Sequence, residues 1–218
     1  MKNGVDQFIK LIGNPSNKKF IQDSIKSIQF PDAESVAVDF NKLVSAINNK
    51  NIPIYIRAYG KGNKTGRREE FSAFMKAVLE REVTADATNN TNPKKRFYGN
   101  SGINKKDFIN YKLSHIWDNT SKNPYAFCAL WNMCLTPFYL DPFTGHEVKS
   151  TLAKDLQAEL RRIVYTKYEN TILEYNLIMK TLELRVNKYI EDKNYLKGYT
   201  KKEKVDIKAN FKQISLNS

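Results

Sequence analysis

From Lys149 to about Ile190 the sequence contains neither proline nor glycine, and its apolar residues return at helical spacing: Leu152, Leu156, Leu160, Val164, Tyr168, Ile172, Leu173, Leu177, Leu184 and Ile190. Positions three and four apart fall on one face of a 3.6-residue turn, so the segment reads as one long helix. Such a helix can serve as a scaffold for what precedes it or as a surface for a second copy of the chain. The first fifty residues are helical as well. Val5 to Ile12 is short and amphipathic, and Gly13-Asn14-Pro15 ends it. Ser16 can cap a second helix running to about Ile28, and Asp32 a third that carries Val36, Val38, Phe40, Leu43, Val44 and Ile47.

Between these helical ends the pattern changes. Pro53-Ile54-Tyr55-Ile56-Arg57 has the branched and aromatic content of a strand. The basic, glycine-rich loop from Tyr59 to Arg68 follows, then a helix over Glu69–Glu82 with Phe71, Phe74, Met75, Val78 and Leu79 on one face. Thr84 to Asn104 is polar and basic without periodicity and is expected as a functional or mobile loop. Phe108 to Trp117 is expected as a short helix. Phe127 to Leu140 is the most apolar part of the chain, and the lysine-rich tail from Lys193 is expected to be only partly ordered. There is no internal repeat.

Lys and Arg number 36 against 23 Asp and Glu, for a net charge of +13. That excess favours polyanions, nucleic acid first and an anionic membrane surface second. A hydrophobic share of 41%, with 12% aromatics, supports a real core in one compact domain, or one domain with an appended helical lobe. No apolar run approaches the ~18 residues of a spanning helix, and the N-terminus lacks a signal-peptide core, so the expected location is cytoplasmic. Cys128 and Cys134 form neither a redox pair nor a zinc knuckle, and are expected as buried reduced thiols.

The chain has 2 histidines, His115 and His146, with Asn132 almost midway between them. Imidazole is the side chain suited to taking a proton near neutral pH, and it is also a common metal ligand. Phosphodiester hydrolysis needs a base for water, a cation for the developing charge and basic groups to hold the backbone. A neutral imidazole whose Nδ1–H is held by a carbonyl would fill the first role.

The order His115, Asn132, His146 ahead of a helix resembles the His-Me finger nucleases, the ββα-metal or HNH-type family. The texture His115-Ile116-Trp117, Asn123-Pro124 and Trp131-Asn132 is similar to small HNH nucleases of bacterial restriction and defence systems. The resemblance implies His115 as general base at a strand end and Asn132 as the loop organiser ahead of a strand Met133–Pro137. It implies His146 as ligand of Mg2+, or of another divalent ion such as Mn2+. Many family members carry aspartate directly before the base, where this chain has Ser114. Asp118, Asp141 or Glu147 would then supply the oxygen donors that a hard cation takes.

Two basic clusters complete the reading. Lys61, Lys64, Arg67 and Arg68 lie among glycines, in a segment that lacks the Gly-Lys-Ser/Thr ending of a P-loop and is not expected to bind ATP. Lys94, Lys95, Arg96 and Tyr98 offer phosphate contacts with an aromatic beside them, and Lys105 and Lys106 extend that charge toward His115. Arg67, Arg68 and Arg96 are the expected base readers.

The expected architecture is α+β and mostly helical, with a ββα-metal nuclease core embedded between helical segments. Residues 1–109 form a helical region with DNA-contacting loops, 110–165 the finger, and 166–218 the rest of the long helix and the tail, all in one compact unit. The expected function is a metal-dependent DNA endonuclease of the type II restriction kind, acting on double-stranded DNA, with a homodimer suited to a symmetric site and no membrane partner. The alternative is a non-catalytic basic DNA- or RNA-binding protein whose histidines are structural.

Overall fold

A computed structural model describes residues 4–57, 65–86, 88, 91–144 and 150–216, apart from the side chains of residues 4–6, 65, 66 and 118. The described chain is α+β and mostly helical. Its helices are α1 (Gly4–Leu11), α2 (Asn17–Ser27), α3 (Ala33–Asn48), α4 (Thr65–Leu79), α5 (Thr91–Asn100), α6 (Pro124–Phe127), α7 (Asp141–Thr144), α8 (Thr151–Lys167), α9 (Glu169–Glu191) and α10 (Lys201–Ala209). The strands β1 (Tyr55–Arg57) and β2 (Thr84–Asp86) pair in parallel across α4, while β3 (Tyr111–His115) and β4 (Met133–Pro137) pair antiparallel. Among the described residues, no helix is long and apolar enough to cross a membrane.

The caps expected from the sequence form. Ser16 accepts from the Lys19 amide at 3.3 Å and Asp32 from the Ser35 amide at 2.7 Å, each meeting a donor that the first helical turn leaves open. The long C-terminal pattern is two helices, not one. Its buried stripe continues from Leu152, Leu156, Leu160 and Val164 in α8 to Ile172, Tyr175, Met179, Leu182, Val186 and Ile190 in α9. The break falls at Tyr168, whose φ of −120° and ψ of 28° leave the helical region. Nothing local forces it. The Tyr168 ring is buried and its hydroxyl donates to the Pro31 carbonyl at 2.6 Å, so a contact with the α2–α3 link fixes the bend. α8 packs on α2 and α7, whereas α9 packs on α3, α4 and α10.

Three other expectations give way. Phe108–Trp117 contains the strand β3, not a helix, because its pairing with the wholly buried β4 outweighs local preference. The segment expected as a loop over Thr84–Asn104 contains β2 and α5. The buried Asp86 carboxylate starts that helix, accepting from the Thr88 amide at 3.0 Å and the Asn92 amide at 2.8 Å. The lysine-rich tail contains α10, opened by a reciprocal Thr200–Glu203 capping box.

Strand β4 is held on both edges. Gln29 and Leu135 exchange two backbone hydrogen bonds of 2.9 Å on the side away from β3. Arg81 performs a comparable service for α3. Its buried guanidinium donates to the carbonyls of Ala46, Ile47, Asn49 and Ile52 at and beyond the helix C-terminus. A cation there meets both the open acceptors and the negative end of the helix dipole. Replacing Arg81 by Met should lower unfolding free energy by about 2–3 kcal/mol. Urea denaturation reads this as a lower midpoint at constant slope, and an unchanged midpoint would show that water replaces the guanidinium.

Candidate active site

His115 is the last residue of β3 and pairs in register with Met133. Its ring is half-buried and lies parallel to the Phe127 ring, centroids 6.1 Å apart. Nε2 sits 2.9 Å from the Phe127 carbonyl. A carbonyl only accepts, so Nε2 carries the hydrogen and, in the neutral ring, Nδ1 carries the lone pair. The expected tautomer is therefore reversed: the carbonyl grips Nε2, and the lone pair of the neutral ring is on Nδ1.

Asn132 has no exposed surface. Its backbone carbonyl accepts from the Ile116 amide at 2.9 Å, and its side-chain oxygen accepts from the Trp117 amide at 3.0 Å. Its Nδ2 donates to Thr120 Oγ1 at 2.8 Å and to the Ala126 carbonyl at 3.2 Å. The side chain thus ties the start of β4 to the loop that leaves His115. It is a positioning residue, closed to solvent.

Asn123 is equally committed, and the sequence marks it only as the residue before Pro124. It caps α6 by accepting from the Tyr125 amide at 3.0 Å, with Pro124 in the first turn, where no amide hydrogen is needed. Its Nδ2 donates to Tyr175 Oη at 3.1 Å and to the Asn210 carbonyl at 3.0 Å, joining the loop to α9 and the end of α10. Beside it, the Lys122 amide donates to Asn210 Oδ1 at 2.9 Å, and Lys122 Nζ lies 2.6 Å from Asp206 Oδ2. α6, whose last carbonyl holds His115, is therefore set by two other elements, α9 and α10. Arg57, at the end of β1, adds a bond of 2.9 Å to Ser121 Oγ. The indole rings of Trp117 and Trp131 pack at 5.7 Å beneath this loop, and their Nε1 atoms have no hydrogen-bond partner among the described residues.

Of the expected metal ligands, His146 and Glu147 lie outside the described residues. Asp118 opens the helical turn Asp118–Thr120, and its side chain is likewise not described. Asp141 heads α7, where its exposed carboxylate is ion-paired with Lys112 Nζ. Burial holds the Lys112 ammonium below its ordinary pKa. Among the described residues, no cluster of three or more His, Cys, Asp or Glu side chains gathers.

The basic residues divide in two. Arg67 is built into the α4–α10 junction: it pairs with Glu203 at 2.6 Å, donates to the Gly198 carbonyl at 3.1 Å and lies over the Tyr199 ring. Arg96 is ion-paired with the buried Asp39 at 2.9 Å and also donates to the Asp39 carbonyl. Tyr98 is half-buried edge-on to Phe97, and burial raises its phenol pKa. Arg68, Lys94, Lys95, Lys105 and Lys106 are exposed. Lys61 and Lys64 lie outside the described residues.

The profile of the family described as Uncharacterised protein PM1201 matches residues 31–216, a span that includes every element of this site. The chain is similar to the Uncharacterized protein PM1201 of Pasteurella multocida (strain Pm70), with 35% identity over 211 residues, 96% of this chain and 92% of that one. No solved structure matches.

Two expected outcomes follow from the packing of the loop. Asn132→Ala leaves the Trp117 amide without its acceptor and should cost about 3 kcal/mol of stability, read by thermal or urea unfolding. A loss under about 0.5 kcal/mol would mean the loop is not tied there. Cys128 and Cys134 are free, and burial pushes each thiol up to about 12. The thiolate is the reactive form, so at pH 8 a disulfide reagent should leave the native protein unmodified and modify both cysteines once it unfolds.

Proposed function

The chain belongs to the family of the Uncharacterised protein PM1201, and from its own residues we propose that it is a metal-dependent DNA endonuclease with a ββα finger, of the type II restriction kind. The observation that carries the reading is the Nε2–H of His115 held by the Phe127 carbonyl at the end of an antiparallel strand pair. A base that acts through water is oriented when one ring nitrogen is fixed as a donor, which puts the lone pair on the other. In this reading Nδ1 takes the proton from the water that attacks phosphorus. The Phe127 carbonyl then stabilises the imidazolium, because its acceptor faces a ring that has become cationic. Asn132 does not touch the phosphate; it holds the strand end and loop from which His115 projects.

The order β3, β4, then α7 and α8 supports the finger. A Mg2+-class ion would supply neutralisation of phosphate charge, held by His146 with oxygen from Asp118, Glu147 or Asp141. Asp141 is the least suited of the three, since Lys112 already occupies its carboxylate. Lys94, Lys95, Lys105, Lys106 and Arg68 are the surface cations that duplex phosphates would meet, while the structural pairing of Arg67 and Arg96 argues against base reading by either. A homodimer belongs to the same proposal: Leu173, Leu177 and Leu184 are 48%, 65% and 71% exposed along one line of α9.

Incubating wild type and His115→Ala with plasmid and phage DNA, in Mg2+ and in EDTA, tests the proposal. The expected result is discrete fragments from wild type in Mg2+ only, with cleavage by the variant reduced by at least about a hundredfold and DNA affinity retained. A smear with the same dependence would keep the hydrolytic centre and remove the restriction assignment. Salt-sensitive binding without cleavage, across several divalent ions, would make the chain a basic nucleic-acid-binding protein.

A further inference from the structure

A cavity of about 490 Å³ lies between α3, β1, α5 and α6, with Pro124 and Cys128 of the α6 region on its wall. Cys128 directly follows Phe127, whose carbonyl holds His115, so the cavity adjoins the candidate site. Its volume falls within the ~300–1,000 Å³ of small-ligand pockets. Its chemistry is divided. Leu43, Ile52, Ile54 and Pro124 give an apolar wall, and Tyr55, 40% exposed, adds an aromatic ring. The opposite side is α5, which contributes Asn92, Lys95, Arg96 and Asn100.

That division selects a class of ligand. An aliphatic molecule would leave the amides and cations of α5 facing a dry surface, which costs free energy. A bare anion would gain nothing from the apolar side. A planar heterocycle carrying a phosphate satisfies both, with its faces against the apolar wall and Tyr55, its edge toward the asparagine amides and its phosphate toward Lys95. The two asparagines are held in place from behind, Asn92 by the Asp86 carboxylate at 2.9 Å and Asn100 by the Asp39 carboxylate at 2.6 Å. Arg96 is fixed by the same Asp39, so these three polar groups of the wall are held before any ligand arrives, while Lys95 is exposed at its edge.

We propose that this cavity is a nucleotide pocket, which holds one nucleobase with its phosphate beside the His115 site. The source is either a base turned out of the nucleic acid strand or a free nucleotide. Only the first source rests on the nuclease reading; the pocket itself does not. Taking a base out of the stack costs a few kcal/mol, so a built receiving pocket is what would make it happen.

The test uses Gly99→Trp. Gly99 lines the cavity within α5, and a Cβ there meets nothing within 4 Å, so a side chain can be attached at the cavity rim without a clash at its first carbon. Wild type, Gly99→Trp and His115→Ala, each checked by thermal unfolding, are titrated with the four deoxynucleoside monophosphates by calorimetry. They are also titrated into duplex and single-stranded oligonucleotides carrying 2-aminopurine, whose emission rises when the base unstacks. The expected result is binding or an emission rise with wild type and His115→Ala, weakened at least about tenfold in Gly99→Trp. A signal from monophosphates alone assigns the pocket to a free nucleotide, and one from oligonucleotides alone to a base of the strand. No signal from either, or a signal that Gly99→Trp leaves intact, overturns the pocket. Cleavage assays on the same samples keep the two readings apart, since pocket binding without DNA cleavage retains this inference and removes the nuclease.

Discussion

A side-chain amide buried to zero exposure must satisfy its oxygen and its nitrogen inside the protein, or the fold bears the full desolvation cost. Asn132 meets that requirement by bonding residues on both arms of the segment between β3 and β4: Trp117 and Thr120 on one side, Ala126 on the other. The rest of the site depends on this junction. It sets where β4 begins, hence the register that places His115 opposite Met133, and it sets α6, whose last carbonyl grips the imidazole. Asn123 repeats the device one layer further out, toward α9 and the end of α10. Two asparagines thereby turn an irregular segment into a rigid one. Neutral amides suit this task, since charged groups at such depth would carry a far larger desolvation cost.

The cationic surplus also has internal structure. Guanidiniums do architectural work: Arg81 closes the C-terminal end of α3, Arg96 fixes the buried Asp39, and Arg67 joins α4 to the α10 region. Each exploits the planar fork of donors that an ammonium lacks. The lysines of α5 and of the turn at 105–107 stay at the surface, where long flexible chains keep their hydration. What remains for a polyanion is therefore mainly a field of lysines, suited to phosphate contact more than to reading bases.

The sequence spoke clearly where a signal was local. Ser16 and Asp32 announced their helices, the 3.6-residue stripe located the buried face of α8 and, Val38 apart, that of α3, and the two thiols lie in the core as their apolar neighbours suggested. On α9 the stripe mixed the buried Ile172 and Ile190 with Leu173, Leu177 and Leu184, which are exposed. It was silent where the deciding contact is remote. The bend at Tyr168 depends on the Pro31 carbonyl, and β3 exists because β4 is there to pair with it. The start of α5 depends on a carboxylate six residues upstream, at the end of a strand too short to show a period. At the site, His115 and Asn132 stood out by residue type and spacing. The grip of the Phe127 carbonyl on Nε2 did not, because a backbone acceptor leaves no mark in the sequence. Arginine was read as a contact residue from its charge alone, and the partners that claim it, the buried Asp39 and the half-buried Glu203, lie far away along the chain.

The buttressing of the 120–123 segment has a consequence for the order of assembly. The fasteners of the strand pair and of this segment come from opposite ends of the chain: Gln29 closes one edge of β4, while Asn210 receives Lys122 and Asn123. Synthesis proceeds from the N-terminus, so Gln29 waits through more than a hundred residues for Leu135, and the loop waits again for Asn210. Contacts of such sequence separation form late, because the chain between them must first lose its freedom. A ribosome-bound chain that has extruded β3, β4 and α8 still lacks the brace that fixes α6 beneath His115. The geometry around the imidazole is thus a property of the finished molecule, withheld from the nascent one until α10 has emerged and docked.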